Sequence, residues 1–181
     1  MKKTLFILLF TLVTISVTQA QKSNYVHIAG DAGFVVNTER DKKFGLGGTI
    51  GWLTQDNLFF SNPNNYISLS VKGFNNPYGE GKLIGSILND KDDAFNYIMP
   101  LVGYRITQTG VSEGFYVEPR MGVVIGASGY TGFSFSPMAG YAYRDFDFSL
   151  FCDMGFGNEV SAIRNKNFFT PGISLGYNIG F

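Results

Sequence analysis

The chain is 181 residues long, with 14 Lys+Arg against 14 Asp+Glu, 23 glycines, 18 phenylalanines, 10 tyrosines and one cysteine. This even charge balance excludes the basic footprint of a nucleic-acid-binding protein, and the lone Cys152 excludes an internal disulfide. Abundant glycine and aromatic residues favour strands and turns over helices.

The first element is a leader. Met1-Lys2-Lys3 is followed by an apolar run from Leu5 to Val17 and by Thr18-Gln19-Ala20 before Gln21. A short basic start, an apolar run of this length and small residues before the cut form the pattern of a secretory signal peptide. A membrane-spanning helix would need about 20 apolar residues. The expected organisation is a signal peptide over 1–20 and one exported domain over 21–181. Losing Lys2 and Lys3 leaves 12 basic residues against 14 acidic ones, and no cysteine follows the cut to carry a lipoprotein anchor. An exported chain without disulfides needs another source of stability, and closing a sheet on itself supplies one by satisfying every strand edge.

Eight stretches then alternate with a period of two, the signature of strands with two different faces. The first, Asn24 to Val36, sets Val26, Ile28, Gly30, Ala32 and Phe34 against Tyr25, His27, Ala29, Asp31 and Gly33. A charged turn over 37–42 leads to the second, where Phe44, Leu46, Gly48, Ile50 and Trp52 oppose Gly45, Gly47, Thr49 and Gly51. A connection over 55–65 with its own Phe59-Phe60 pair precedes the third, Ile67, Leu69 and Val71 against Tyr66, Ser68, Ser70 and Lys72. The longest interruption, 75–93, carries Pro77 and a Leu83-Ile84 piece that could form a short helix. The fourth strand alternates Ile98, Pro100, Val102, Tyr104 and Ile106 with Tyr97, Met99, Leu101, Gly103 and Arg105.

The fifth, Phe115 to Ala127, places Val117, Pro119, Met121 and Val123 opposite Tyr116, Glu118, Arg120 and Gly122. The sixth places Phe133, Phe135, Pro137, Ala139 and Tyr141 opposite Ser134, Ser136, Met138 and Gly140. Arg144-Asp145 leaves room only for a tight turn before the seventh, with Phe148, Leu150, Cys152 and Met154 opposite Asp147, Ser149, Phe151 and Asp153. A polar loop, 157–167, leads to the last, Phe168 to Phe181, whose faces from Phe169 on are wholly apolar and wholly small or polar.

Eight such strands predict an all-β fold, an eight-stranded antiparallel up-and-down transmembrane β-barrel. The glycines sit on the polar faces, where a narrow lumen needs small residues beside large ones. The bulky apolar faces must then point outward, and a water-soluble protein could not expose so large a continuous apolar surface. With both termini in the periplasm, Trp52, Tyr104, Phe115, Tyr141, Tyr143, Phe146, Tyr177 and Phe181 fall in an inner aromatic belt. Phe34, Phe44, Phe133, Phe156 and Phe169 fall in an outer one, as interfacial rings prefer.

This pattern resembles the small eight-stranded outer-membrane barrels of the outer membrane protein A and X type. The Gly- and aromatic-rich strands with Tyr-Val-Glu-Pro-Arg at 116–120 are similar to barrels of Bacteroidota-like bacteria. The resemblance implies residence in the outer membrane of a Gram-negative bacterium, contact with outer-membrane lipids and delivery by the barrel assembly machinery. It also implies that Ile173, Leu175, Tyr177, Ile179 and the terminal Phe181 form the signal this machinery reads. No peptidoglycan-binding domain follows, so an anchoring role is not implied.

The predicted lumen carries His27 and seven charged residues, Asp31, Lys72, Arg105, Glu118, Arg120, Asp147 and Asp153, whose charges nearly cancel. Ionised groups in a confined interior must be paired or hydrated, which predicts an ion-pair network plugging the barrel. No catalytic residue, cofactor or metal site is assigned. The function expected is structural or interactive, with a possible extracellular ligand on the loops 75–93 and 157–167. Two alternatives stay open: a lipid A-modifying enzyme using His27 with Ser112, Ser128 or Ser161, and a narrow gated channel. Pro100, Pro119, Pro137 and Pro171 fall in strands and cannot donate to the ladder. They mark either bulges or strand ends, or a weakened seam that opens laterally. Cys152 faces lipid, and the acid and lysine cluster at Asp90 to Asp93 reads as a solvated loop rather than a cation site.

Overall fold

The protein is described by a computed structural model over residues 24–37, 44–56, 63–77 and 94–181. Its alternating residues form ten strand segments: β1 Asn24–Phe34, β2 Phe44–Gln55, β3 Asn65–Pro77, β4 Ala94–Thr107, β5 Glu113–Glu118, β6 Arg120–Gly126, β7 Thr131–Phe135, β8 Met138–Tyr143, β9 Phe146–Gly157 and β10 Asn167–Gly180. Only Pro119 separates β5 from β6, and only Ser136-Pro137 separates β7 from β8, so ten segments make eight staves. Each stave is antiparallel to both neighbours, and β10 pairs with β9 and with β1, which closes the ring. The fold is an eight-stranded antiparallel up-and-down barrel.

The divided staves correct the expectation of unbroken strands over 115–127 and 133–143. Proline has no N–H to give the ladder, so pairing lapses at Pro119 and Pro137. The register does not slip there: Glu118↔Met138 and Met121↔Phe135 lie on one register. No residue is inserted, so these are not bulges, and each stave keeps one inward and one outward phase along its length.

Other boundaries also move. β1 ends at Phe34 rather than Val36, which is held to Phe169 by an isolated bridge. β3 runs on to Pro77 and β4 begins at Ala94, so strands take up part of the expected loop 75–93. The short helix considered there falls within 78–93, outside the described residues. The leader over 1–20, most of the turn over 37–42 and the Phe59-Phe60 pair also lie outside them.

Registers around the ring measure its stagger. Stepping from Tyr25 through Leu53, Ser68, Gly103, Arg120, Ser136, Asp153 and Thr170 returns to β1 at Val35, ten residues beyond the start. A stagger of ten over eight staves, at about 3.3 Å rise and 4.8 Å spacing, corresponds to a strand tilt of roughly 41° and a backbone radius of roughly 8 Å. Such a barrel is just wide enough inside to be filled by side chains or to hold one small ligand.

Outward positions form a continuous apolar belt, with Ile50 64%, Phe115 67% and Leu150 66% exposed. Aromatic pairs rim it. Near the chain termini Trp52 meets Phe181, Phe115 meets Tyr141 and Phe146 meets Tyr177, at 4.9, 4.8 and 5.1 Å between ring centroids. At the far end Phe34 meets Phe44 at 5.6 Å, and Phe156 meets Phe133 at 6.4 Å and Phe169 at 6.3 Å. Phe146 and Phe156 lie on one strand, ten residues apart, which is roughly 25 Å along the axis at this tilt, the height of a lipid-facing band. The hairpin joining β8 to β9 is a two-residue turn whose Arg144 and Asp145 both have positive φ, 48° and 70°, as the twist of such hairpins requires. Asp145 is secured there by the Ser112 hydroxyl on its carboxylate and the Asn178 N–H on its carbonyl, 2.8 Å.

Candidate functional site, a charged lumen closed at both ends

The inward phase brings all seven charged residues of the expected network into the barrel, none more than 2% exposed. They form two layers. Asp147 and Asp153, six residues apart on β9, mark their levels, roughly 15 Å apart along the axis.

In the layer nearer the termini, Arg105 of β4 is the hub. Its Nε donates to Glu118 Oε2 at 2.6 Å and its Nη1 to Asp147 Oδ2 at 3.0 Å. The guanidinium lies 4.2 Å from the Tyr116 ring centre, and the Tyr116 hydroxyl donates to Asp147 Oδ1. A planar cation with five donors in a fork suits a site with two acids and a ring. His27 Nδ1 is 2.9 Å from Asn178 Oδ1, which can only accept, so this nitrogen carries the proton. The imidazole fits because position 176 is glycine: a Cβ there would stand 2.5 Å from His27 Cε1.

In the second layer Lys72 of β3 crosses the lumen. Its Nζ is 2.9 Å from Asp153 Oδ2, 3.6 Å from Asp31 Oδ2 and 3.1 Å from the centre of the Phe151 ring. Thr49 donates to Asp31 at 2.6 Å, and Tyr97 and Ser136 donate to the two oxygens of Asp153 at 2.9 and 2.6 Å. Among the described residues Arg120 touches no carboxylate directly. Its Nε and Nη2 donate to the carbonyl and hydroxyl of Ser136, 3.0 and 2.8 Å, which couples it to Asp153 through that serine. Across both layers three cations face four carboxylates, with His27 beside the more acidic layer.

Aromatic caps, not anticipated from the sequence, close the two mouths. At the far end Phe168 packs against Phe95, Tyr97 and Tyr130 at 5.0, 4.9 and 5.6 Å. Ala162 and Ile163 of the loop 157–167 fold down onto them and are buried. The Tyr130 hydroxyl donates to the Lys166 carbonyl at 2.7 Å, and burial pushes its pKa up to about 12. At the terminal end Tyr25 and Tyr66 meet edge-on at 5.8 Å, packed with Leu53 and Val111. The signal for the far cap lay in the Phe168-Phe169 doublet, which puts one ring inside and one outside.

The serines proposed to work with His27 are elsewhere. Ser112 bonds Asp145, whereas Ser128 and Ser161 are exposed in turns at the opposite end from His27. On β10, Ile173, Leu175, Tyr177 and Ile179 point outward, 61, 53, 42 and 43% exposed, and Phe181 caps Trp52.

No protein-family profile matches the sequence, and no curated protein sequence matches it. By fold the chain is similar to the crystal structure of Neisserial surface protein A, with a TM-score of 0.55, 10% identity, and 88% of this chain and 99% of that one covered. It is equally similar to Ail, the attachment invasion locus protein of Yersinia pestis, solved in complex with the heparin analogue sucrose octasulfate, with a TM-score of 0.55, 11% identity, and 88% and 100% covered. At these identities the likeness is one of fold, and it places the chain among proteins built as a small closed barrel of this kind.

Proposed function

We propose that this protein is an integral outer-membrane barrel of a Gram-negative bacterium, non-enzymatic and non-conducting, that works through its far, loop-bearing face. The observation carrying this reading is the inversion of the fold: the apolar belt is outside and the charges are inside. In lipid such a belt is satisfied, and in water it would be a large adhesive patch. The far end then faces the medium and the termini face the periplasm. Ile173, Leu175, Tyr177, Ile179 and Phe181 are the strand that the barrel assembly machinery would read.

The loop 157–167 supports a surface role. While Ala162 and Ile163 pack inward, Asn158, Glu159, Ser161, Asn165 and Lys166 stay exposed. This polar rim is the surface on which we place an extracellular ligand; the other loop expected to share it falls within 78–93, outside the described residues. Ail, of the same fold, was solved in complex with the heparin analogue sucrose octasulfate. The two aromatic caps favour a sealed lumen over a channel, and the Asn178 partner of His27 favours a structural histidine over a catalytic one. An epitope inserted at Ser161 of the full chain should be labelled by antibody on intact cells. Labelling only after permeabilisation would overturn the orientation, and recovery of the protein in the soluble fraction would overturn the membrane reading.

A further inference from the structure

With both mouths capped, the wall is the remaining way into the lumen, and the hydrogen-bond ladder singles out one place in it. β3 and β4 pair through thirteen consecutive residues, Asn65↔Ile106 to Pro77↔Ala94. The next interface, between β4 and the stave β5–β6, is interrupted twice. Pairing holds at Ile106↔Val117 and Thr107↔Tyr116, resumes for Leu101↔Gly122, Val102↔Met121 and Gly103↔Arg120, and resumes again at Ile98↔Ile125. The interfaces of β7–β8 with its two neighbours are each interrupted only once.

The cause is a repeated motif. β4 carries Pro100-Leu101-Val102-Gly103, and the facing stave carries Pro119-Arg120-Met121-Gly122. Running antiparallel, each proline lies beside the other strand's glycine. The Tyr104 N–H donates to the Pro119 carbonyl at 3.1 Å, so pairs 104/119, 102/121 and 100/123 are the mutually bonding ones in this alternation. Pro119 cannot return the bond to Tyr104, and Pro100 has none to offer Val123. Only glycine fits between: a Cβ at Gly122 would lie 2.0 Å from the Pro100 carbonyl oxygen, and one at Gly103 would lie 2.9 Å from that of Pro119.

At its Pro100 end both sides of this weak patch are apolar. Outside, a depression of about 650 Å³ is lined by Ile50, Leu69, Val71, Pro100, Val102 and Val123. Inside, Met99, Leu101, Val124, Met138 and Phe151 belong to one buried cluster. Toward the termini the inner side turns charged: Arg105 and Glu118 face each other across this same interface, 2.6 Å apart, and Arg120 lies opposite Gly103. Between the two aromatic rims the apolar species at hand is the lipid tail.

We propose that the interface between β4 and β5–β6 is a lateral seam that parts to admit an acyl chain of a membrane lipid against Met99, Leu101, Val124 and Met138. The inference rests on the membrane reading above, and the test separates the two. The full chain is reconstituted in vesicles containing a phospholipid with a diazirine at its acyl terminus, irradiated, and mapped by mass spectrometry. Adducts on Leu150 and Ile173 report insertion, and adducts on Met99, Leu101, Val124 and Met138 report seam opening.

Both sets are expected. A disulfide between Val102→Cys and Met121→Cys in a Cys152→Ser background should cut the inward adducts at least tenfold and leave the outward ones. Pro100→Val with Pro119→Val, which restores two donors, should act in the same direction and stands in if the disulfide form does not fold. Outward adducts alone in the unmodified chain, or inward adducts that persist with the seam locked, would overturn the seam. Absence of both sets would overturn the membrane reading with it.

Discussion

Replacing Arg105 by Met tests whether the lumen is held by paired charge. The change keeps a flexible side chain of similar reach but removes the cation between Glu118 and Asp147, whose carboxylates are 2% and 1% exposed. Two buried acids would then face each other with no counter-ion, and the Tyr116 ring would lose the guanidinium above it. Breaking a buried pair by removing one partner costs about 3–5 kcal/mol, and here one removal breaks two. Neutralising the partners as well, Arg105→Met with Glu118→Gln and Asp147→Asn, removes the stranded charges and should recover most of that loss, because a well-packed neutral replacement of a buried ion pair is often close to neutral. Urea unfolding in lipid vesicles, followed by the single tryptophan, Trp52, measures both. A single variant within about 1 kcal/mol of wild type, or a triple variant no more stable than the single one, would refute the reasoning.

Further substitutions probe packing, lipid and the far cap. Gly155→Ala would place a methyl 2.1 Å from Phe168 Cε1, whereas Gly30→Ala meets nothing within 4 Å. The first should therefore cost about 1–3 kcal/mol by overpacking and the second close to nothing; equal losses by denaturant unfolding would sink the distinction. Leu150→Arg puts a charge near the middle of the belt and should cost about 2–4 kcal/mol in a bilayer, and an unchanged stability in vesicles would contradict the lipid-facing assignment. Tyr130 is held protonated up to about 12, against about 10 for an unfolded tyrosine. Its stabilising contribution is complete below pH about 10 and lost as pH rises toward 12. Wild type should lose stability relative to Tyr130→Phe across that window, and parallel curves would show that the cap does not depend on the phenol.

Much of the barrel was legible because its physics is local. A two-residue period separates lipid from lumen on every stave, and the even stave count follows once the turns are read, so the seven charged side chains could be placed inside by parity alone. Which of them meet could not be read in this way. Lys72 finds Asp153, eighty-one residues on, because the ring closes with a stagger of ten, and a stagger is a property of all eight interfaces together. The aromatic caps were obscured for a related reason. Phe74, Phe95 and Phe168 share the inward phase with serines and acids, and only their height along the axis separates cap from chamber. Proline was legible as a missing donor, but which neighbour loses the bond depends on the hydrogen-bonding alternation between staves, known only from the register.

The most direct test of the whole account uses the native Cys152, half-buried on the outward face of β9 six residues from Phe146 and four from Phe156. A small fluorophore is attached to it in denaturant, and the chain is refolded into vesicles whose lipids are brominated at stepped depths. The account predicts strongest quenching by bromines near the chain ends and none by aqueous iodide. Quenching by iodide with indifference to bromine depth would contradict a barrel that stands in the membrane with this face toward lipid.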